Sequence, residues 1–434
     1  MGSFRLPTLW RRLLLVLGAF VLLCLLYSTS DSGWTLWQAA TAQVRVSSCT
    51  GFELASVSKN LHDRMKAESD YTPAEIEQFV CGIVNHDMSA SAQLECPATI
   101  SSRYQTLIPI DVGASPEIAY FFALNLHQVI HIILPLMGSI LEAIRYLGPE
   151  HCAVSIVEGR STDGTYEILA ALKAELDVMG VRYYLSRSSL NPLGPGENRI
   201  KDLAELRNMA LEPLITGVKQ KNVLFGHDPM IIFINDIGIC AEDILELAYQ
   251  QKVQAATMTC AFDWREEGVI HDVWVSRDLA GDLFFDISSD GRIWDSHNLF
   301  SHHEDSRQRF SKQLPVQVFS CWGGMVTLDS GPFIDGQVQF RYSEEDECYQ
   351  GEPTLLAQDL WRQGMGKVLA VPAVNVAYEY RWTLRAKQDK GYVHDIINKP
   401  RYTGHRELVR WQQEPPKKIK CMPSWDEQSW VDAI

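Results

Sequence analysis

Between residues 116 and 260, short apolar runs alternate with segments of helical spacing. Ile118–Leu124, Ala153–Val157, Val181–Leu185, Met230–Ile234 and Ala255–Cys260 have the length of strands. Between them, Leu134–Leu147 stops at Gly148-Pro149, and Tyr166–Met179 carries Leu169, Leu172, Leu176 and Met179 as one stripe before Gly180. Ile200–Leu211 and Ala241–Gln251 also have helix length. This alternation predicts an α/β fold, with a Rossmann-type, mostly parallel sheet flanked by helices. Ligands of such sheets bind beyond the carboxyl ends of the strands, so the residues that follow each run are the ones to examine. Upstream, Thr72-Pro73-Ala74-Glu75 is a capping box that predicts a helix from Pro73 to about Val84.

The N-terminus has a different pattern. Leu13–Tyr27 is uncharged and follows Arg5, Arg11 and Arg12. As a helix it rises about 22 Å, and counting Leu9 and Trp10 with snorkelling arginines brings it near the thickness of a bilayer core. The positive-inside rule then predicts a type II signal anchor with the remainder of the chain in the lumen. A cleaved signal peptide is the alternative, but its best small-residue site, Ala40-Thr41-Ala42, lies far from the apolar run. The expected organisation is a cytoplasmic tail (1–8), an anchor (9–27), a stem (28–50), a helical, cysteine-containing segment (51–115), a catalytic domain (116–385) and a C-terminal tail (386–434). Golgi or another secretory-pathway membrane is the expected location. Nine cysteines follow the anchor, an odd number, so disulfides are permitted but at least one thiol stays unpaired within the chain.

Composition narrows the partners. The net charge is −15, and no basic block is interleaved with aromatics, so nucleic acid is excluded as an expected partner. An anionic ligand needs a local cation or a metal ion.

The candidate chemistry falls at strand ends. Glu158 closes the second run and leads into Ser161-Thr162-Asp163-Gly164-Thr165, a strand–turn–helix; a carboxylate there suits a base or ribose. Arg199 and Lys201 open the next helix, where an anion can meet side chains and free N–H groups. Arg207 borders that helix's apolar face and needs either a phosphate or an internal carboxylate. The run Ile231–Ile234 delivers Asn235-Asp236, and a carboxylate held rigidly by a buried strand suits a hard cation. In Cys321-Trp322-Gly323-Gly324, the glycines allow close backbone approach and the tryptophan can stack on a sugar or pack in a turn. Glu352 and Asp359 stand seven residues apart on one helix face, as groups for the reacting sugar or as a solvated acidic face. His297, His302 and His303 with Glu304 and Asp305 suggest a metal, but their polar, turn-rich setting favours a mobile loop.

Taken in order, these blocks resemble the fungal α-1,3-mannosyltransferases associated with capsule and cell-wall polysaccharide, glycosyltransferase family 69. The resemblance rests on Ser155–Glu158 with the Ser161–Thr165 turn, Leu203–Asn208, Phe233–Ile237, Ser320–Met325, Thr354–Trp361 and Val374–Tyr380. It implies a GT-A fold, a GDP-mannose donor, a glycan acceptor, dependence on Mn2+ and retention of configuration. Under it, Asp236 takes the metal position with Asn235 beside it. Glu158 and Asp163 fall in the nucleotide half, Lys201 or Arg207 serves the diphosphate, and Glu352 or Asp359 serves the reacting sugar. Gly323 replaces the asparagine usual in the family, and Cys348–Pro353 lacks the usual serine and second cysteine. Such departures leave two alternatives in view: a catalytically weak scaffold in polysaccharide assembly or export, and transfer of another sugar.

Overall fold

The structure is a computed structural model that describes residues 49, 71–85, 94, 96, 97, 100–110, 116–196, 198–220, 225–400 and 407–434. The expected anchor and most of the stem lie outside the described residues. No helix among the described residues is long and apolar enough to cross a membrane.

Helix α1 (Pro73–Val84) begins at the capping box: Thr72 accepts from the Glu75 N–H, and the Glu75 carboxylate accepts from the Thr72 N–H at 2.8 Å. The alternating region then gives β1 (Ile118–Leu126), α2 (Ile133–Leu147), β2 (Cys152–Glu158), α3 (Thr165–Met179), β3 (Arg182–Arg187), α4 (Arg199–Lys219), β4 (Phe225–Ile234), α5 (Ala241–Gln254) and β5 (Met258–Asp263). After a long connection come α6 (Glu304–Ser311), β6 (Val316–Gln317), β7 (Met325–Leu328), α7 (Gly331–Ile334), α8 (Glu352–Arg362) and β8 (Val368–Val376). The chain closes with α9 (Tyr380–Lys390), α10 (Val393–Ile397), β9 (Lys418–Ser424) and β10 (Glu427–Asp432).

Eight strands form one sheet in the order β3-β2-β1-β4-β7-β5-β8-β6. The pairs around β1, β2, β3 and β4 and the pair β5–β8 are parallel, whereas β7 and β6 run antiparallel to their neighbours. β2, β5 and β8 are buried at every residue, as expected of strands covered on both faces. Because β7 runs against β4 and β5, its leading turn, Trp322-Gly323-Gly324, lies at the carboxyl ends of those two strands. The topology thereby gathers Asn235, Asp236, Asp263 and this turn at one end of the sheet.

Two elements differ from expectation. α4 does not end before Pro213 but continues to Lys219. Its far end is held by burial of Leu214 and Gly217, and a Cβ on Gly217 would meet the Phe225 ring at 2.3 Å. That packing outweighs the hydrogen bond proline removes. The expected C-terminal tail is instead two short helices and a hairpin fastened to the domain. A Cys348–Cys421 disulfide joins β9 to the segment before α8, and Arg277 Nε donates to the Lys420 carbonyl at 2.7 Å. Three further disulfides, Cys49–Cys81, Cys96–Cys240 and Cys260–Cys321, leave Cys152 as the free, buried thiol among the described residues.

Candidate active site

β4 is apolar and wholly buried from Ile231 to Ile234, so its end holds Asn235 and Asp236 in place. Asn235 is fixed at both ends of its amide. Its Oδ1 accepts from Trp322 Nε1 at 3.3 Å, its Nδ2 donates to the Tyr378 hydroxyl at 2.9 Å, and its backbone N–H donates to the Gly324 carbonyl at 2.9 Å. Asp236 itself lies partly buried at the rim. Burial pushes its carboxyl up to about 6; the Asp272 and Glu379 charges raise it further, while His131 opposes them.

β5 ends in the same way, on Asp263, which is fully buried. Its Oδ1 accepts the Asp272 N–H at 3.2 Å, whereas its Oδ2 has no partner. Burial first, and then the neighbouring Asp272 carboxylate, hold the Asp263 carboxyl well above the usual range. Asp272 sits in a single-turn helix, His271–Val275, and its Oδ2 accepts the Gly324 N–H at 3.4 Å. Tyr378, just after β8, completes the cluster. Burial and the charges of Asp272, Asp263 and Asp236 drive its hydroxyl well above the ordinary tyrosine value. The His271 ring lies 4.7 Å from that of Tyr378 and has its affinity for protons lowered by burial, against Asp272 and with Arg265 and Arg199. Three carboxylates thus converge, and among the described residues no lysine or arginine forms an ion pair with any of them. Carboxylate oxygens are the donors a hard divalent cation takes, although the three do not come within ligand distance of one another as a single group in this structure.

The Trp322-Gly323-Gly324 turn is held from below by the Cys260–Cys321 disulfide. Gly323 and Gly324 have φ of 64° and 74°, and a Cβ on Gly323 would lie 2.0 Å from the Ala261 carbonyl oxygen. The close approach the glycines permit is therefore to β5 of the same chain. Trp322 is 1% exposed, and the Arg207 guanidinium lies 3.8 Å from its ring centre. Its face is covered by protein rather than open to a sugar.

The structure likewise spends other expected site residues on internal bonds. Arg207 Nε donates to Glu352 Oε1 at 2.8 Å, with both side chains buried, so this arginine answers a carboxylate and not a diphosphate. Asp359 is neutralised by Arg341 at 2.7 Å and Arg362 at 3.0 Å and lines a hollow of about 500 Å³ with Asn208 and Gln337, among other residues, none of them from the Asp236 cluster. Glu158 is fully buried; its oxygens accept from the Ser161 N–H at 2.5 Å and from Arg187 Nε at 3.2 Å. Asp163 accepts the N–H groups of Thr165 and Ile130, which stitches the loop after β2 to the loop after β1. Lys201 is exposed, with its ammonium 6.0 Å from the Tyr342 ring centre. Arg199, at the start of α4, and Arg265 are close enough to His271 to lower its affinity for protons. Asp263 follows the same sequence signal as Asp236, an apolar run closed by a carboxylate. His271 and Asp272 have no such local signal, and Tyr378 lies inside the Val374–Tyr380 block.

Residues 119–359 match the family model described as cryptococcal mannosyltransferase 1. Alpha-1,3-mannosyltransferase CMT1 of Cryptococcus neoformans is 35% identical, over 72% of this chain and 72% of that protein. Among solved structures, Staphylococcus aureus TarS aligns at 12% identity and a TM-score of 0.35, over 60% of each chain. The mannosyltransferase PcManGT of Pyrobaculum calidifontis, in complex with GDP-Man and Mn2+, aligns at 10% identity and a TM-score of 0.34, over 73% of this chain and 68% of that one. The protein is an enzyme of the glycosyltransferase class. Its chain belongs to the cryptococcal mannosyltransferase 1 family, and it is a mannosyltransferase.

Proposed function

We propose that the enzyme transfers mannose from GDP-mannose to a glycan hydroxyl, forming an α-1,3 linkage with retention of configuration, in the synthesis of cell-wall or capsule-type polysaccharide. The observation that carries this reading is the convergence of Asp236, Asp263 and Asp272 at the carboxyl ends of β4 and β5 without a paired base. Asp236 and Asp272 would hold a divalent cation such as Mn2+; the orphaned buried oxygen of Asp263 fits a site that lacks its counter-charge. When bound, that cation supplies charge neutralisation for the departing diphosphate. Asp263 fixes the Asp272 turn through its N–H, and Asn235 holds the end of β4 between Trp322 and Tyr378. Arg199, at the N-terminus of α4, and Arg265 orient the phosphates, in the role the sequence suggested for Arg207 or Lys201. His131 and Glu379, exposed beside Asp236, face the incoming donor.

The same reading places the catalytic unit in the lumen of the Golgi or a related compartment, anchored by Leu13–Tyr27. Four disulfides support an oxidising environment. A screen of nucleotide sugars against the purified chain, with and without Mn2+, tests the reaction. Turnover of GDP-mannose is expected, together with its abolition in Asp236→Ala, and NMR of the fresh product reports the anomer. Turnover indifferent to both metal and mutation would remove the assignment.

A further inference from the structure

The long connection between β5 and β6 carries a second group of metal-binding side chain types, sharing no residue with the cleft. Asp282, Asp286 and His302 each offer one ligand atom, and these atoms lie within 4.8 Å of one another. His302 Nε2 is 2.7 Å from Asp286 Oδ1 and 3.6 Å from Asp282 Oδ2. The sequence expectation of a mobile loop here gives way to an ordered one: His303 caps α6, which begins at Glu304, while His302 turns back toward the two aspartates.

An independent feature points to a ligand. Asp278 is fully buried beside this group; its Oδ1 accepts the N–H groups of Ala280 and Asp282, while its Oδ2 has no partner. Two bases stand close. Lys420 pairs with Asp282 Oδ1 at 2.7 Å, which leaves Oδ2 facing His302. Arg277 gives its Nε and Nη1 to the carbonyls of Lys420, Trp274 and Ser276, and its Nη2 has no partner. Asp278, Asp282 and Asp286 thus crowd three carboxylates around Lys420, Arg277 and His302.

We propose that Asp282 Oδ2, Asp286 Oδ1 and His302 Nε2 bind a divalent transition-metal ion. One imidazole with two carboxylates suits Zn2+, Co2+ or Mn2+ better than Mg2+ or Ca2+. His302 and Asp286 are each 43% exposed, so water completes the coordination on the open side. The ligands span residues 282–302, and Lys420 comes from β9. The ion therefore ties residues 282–302 of the β5–β6 connection together, as a structural site, next to the ion pair by which Lys420 holds Asp282 to the C-terminal hairpin.

The test titrates the purified full chain with Co2+ alone, reading visible absorbance, bound metal after dialysis and the shift in melting temperature. Asp236→Asn is expected to keep the Co2+ band and the thermal gain. Added to Asp236→Asn, so that the cleft does not contribute, His302→Gln and Asp286→Asn are each expected to lose both, with at least a tenfold fall in affinity and an unchanged melting temperature in EDTA. Should His302→Gln unfold without metal, Asp286→Asn decides. Undiminished binding in the Asp286→Asn and His302→Gln proteins, or its loss in Asp236→Asn alone, overturns the site. The first of those results leaves the catalytic proposal standing, so the two readings fail separately.

Discussion

Two charged clusters lie on either side of Asn235, and they are built on opposite principles. On one side Arg207 and Glu352 neutralise each other beneath Trp322, with Phe233 and Phe340 around the guanidinium. On the other side Asp236, Asp263 and Asp272 surround Tyr378 with like charge. Burial of an ion is costly unless it is paired, so the first cluster is neutral in itself, although Arg207 Nη1 has no hydrogen-bond partner, and the second is neutralised only by a cation from outside. The comparison separates structural charge from functional charge where residue type alone cannot: each cluster contains a carboxylate that the sequence marked as a candidate.

Mutation sharpens the contrast. The largest effect is expected in the uncompensated cluster. Asp236→Ala should lower kcat/KM for GDP-mannose by about a thousandfold or more, roughly 4 kcal/mol of transition-state stabilisation, with the secondary structure by circular dichroism unchanged. Asp272→Asn should cost about a hundredfold by the same assay. Comparable loss from Asp359→Asn, with Asp236→Ala active, would reverse the assignment of the two regions.

Next in size is the compensated pair. Arg207→Met should destabilise the fold by about 3 kcal/mol in urea or thermal denaturation, because it strands Glu352 in the interior. A double Arg207→Met, Glu352→Leu replacement should recover part of that loss, and a single mutant as stable as wild type would show that the pair is not the anchor described.

A smaller, pH-dependent effect follows from Asp236. Its folded-state pKa, about 6, lies above the ordinary value of 3.8. The folded form thus keeps a proton that the unfolded chain has released, and the stability gained from this is present in acid and lost as pH rises through about 6. In EDTA, Asp236→Asn should therefore be more stable than wild type at pH 7.5, by about 1–2 kcal/mol after solvent screening, with roughly half that difference at pH 5 and almost none below the ordinary value of 3.8. Mn2+ should remove the difference at pH 7.5 by stabilising wild type. The smallest effect belongs to Asp359→Asn, which removes the charge from a largely buried ion-pair network with Arg341, Arg362 and Glu347 but keeps one oxygen to accept; it should cost about 1 kcal/mol, less at high salt.

The sheet was legible because its strands and helices obey local periodicity, and Asp236 was legible because an apolar run leads straight to it. Asp263 was equally visible in principle, but reading β5 only to Cys260 hid it. The pairing of Arg207 with Glu352 was not legible, since 145 residues separate the partners and a phosphate would satisfy the same guanidinium. Asp272 owes its place to an irregular turn that only tertiary packing positions. The C-terminal hairpin escaped notice because Lys418–Ser424 is short and half polar, and its register depends on a disulfide and on Arg277 rather than on its own pattern.

The Cys260–Cys321 bond ties the strand that presents Asp263 to the turn that carries Trp322 and donates the Gly324 N–H to Asp272. One covalent link therefore serves both the paired and the unpaired cluster. Chain produced in a reducing cytosol, or purified in dithiothreitol, should lose catalytic competence before it loses its secondary structure, and recovery should require an oxidant as well as metal.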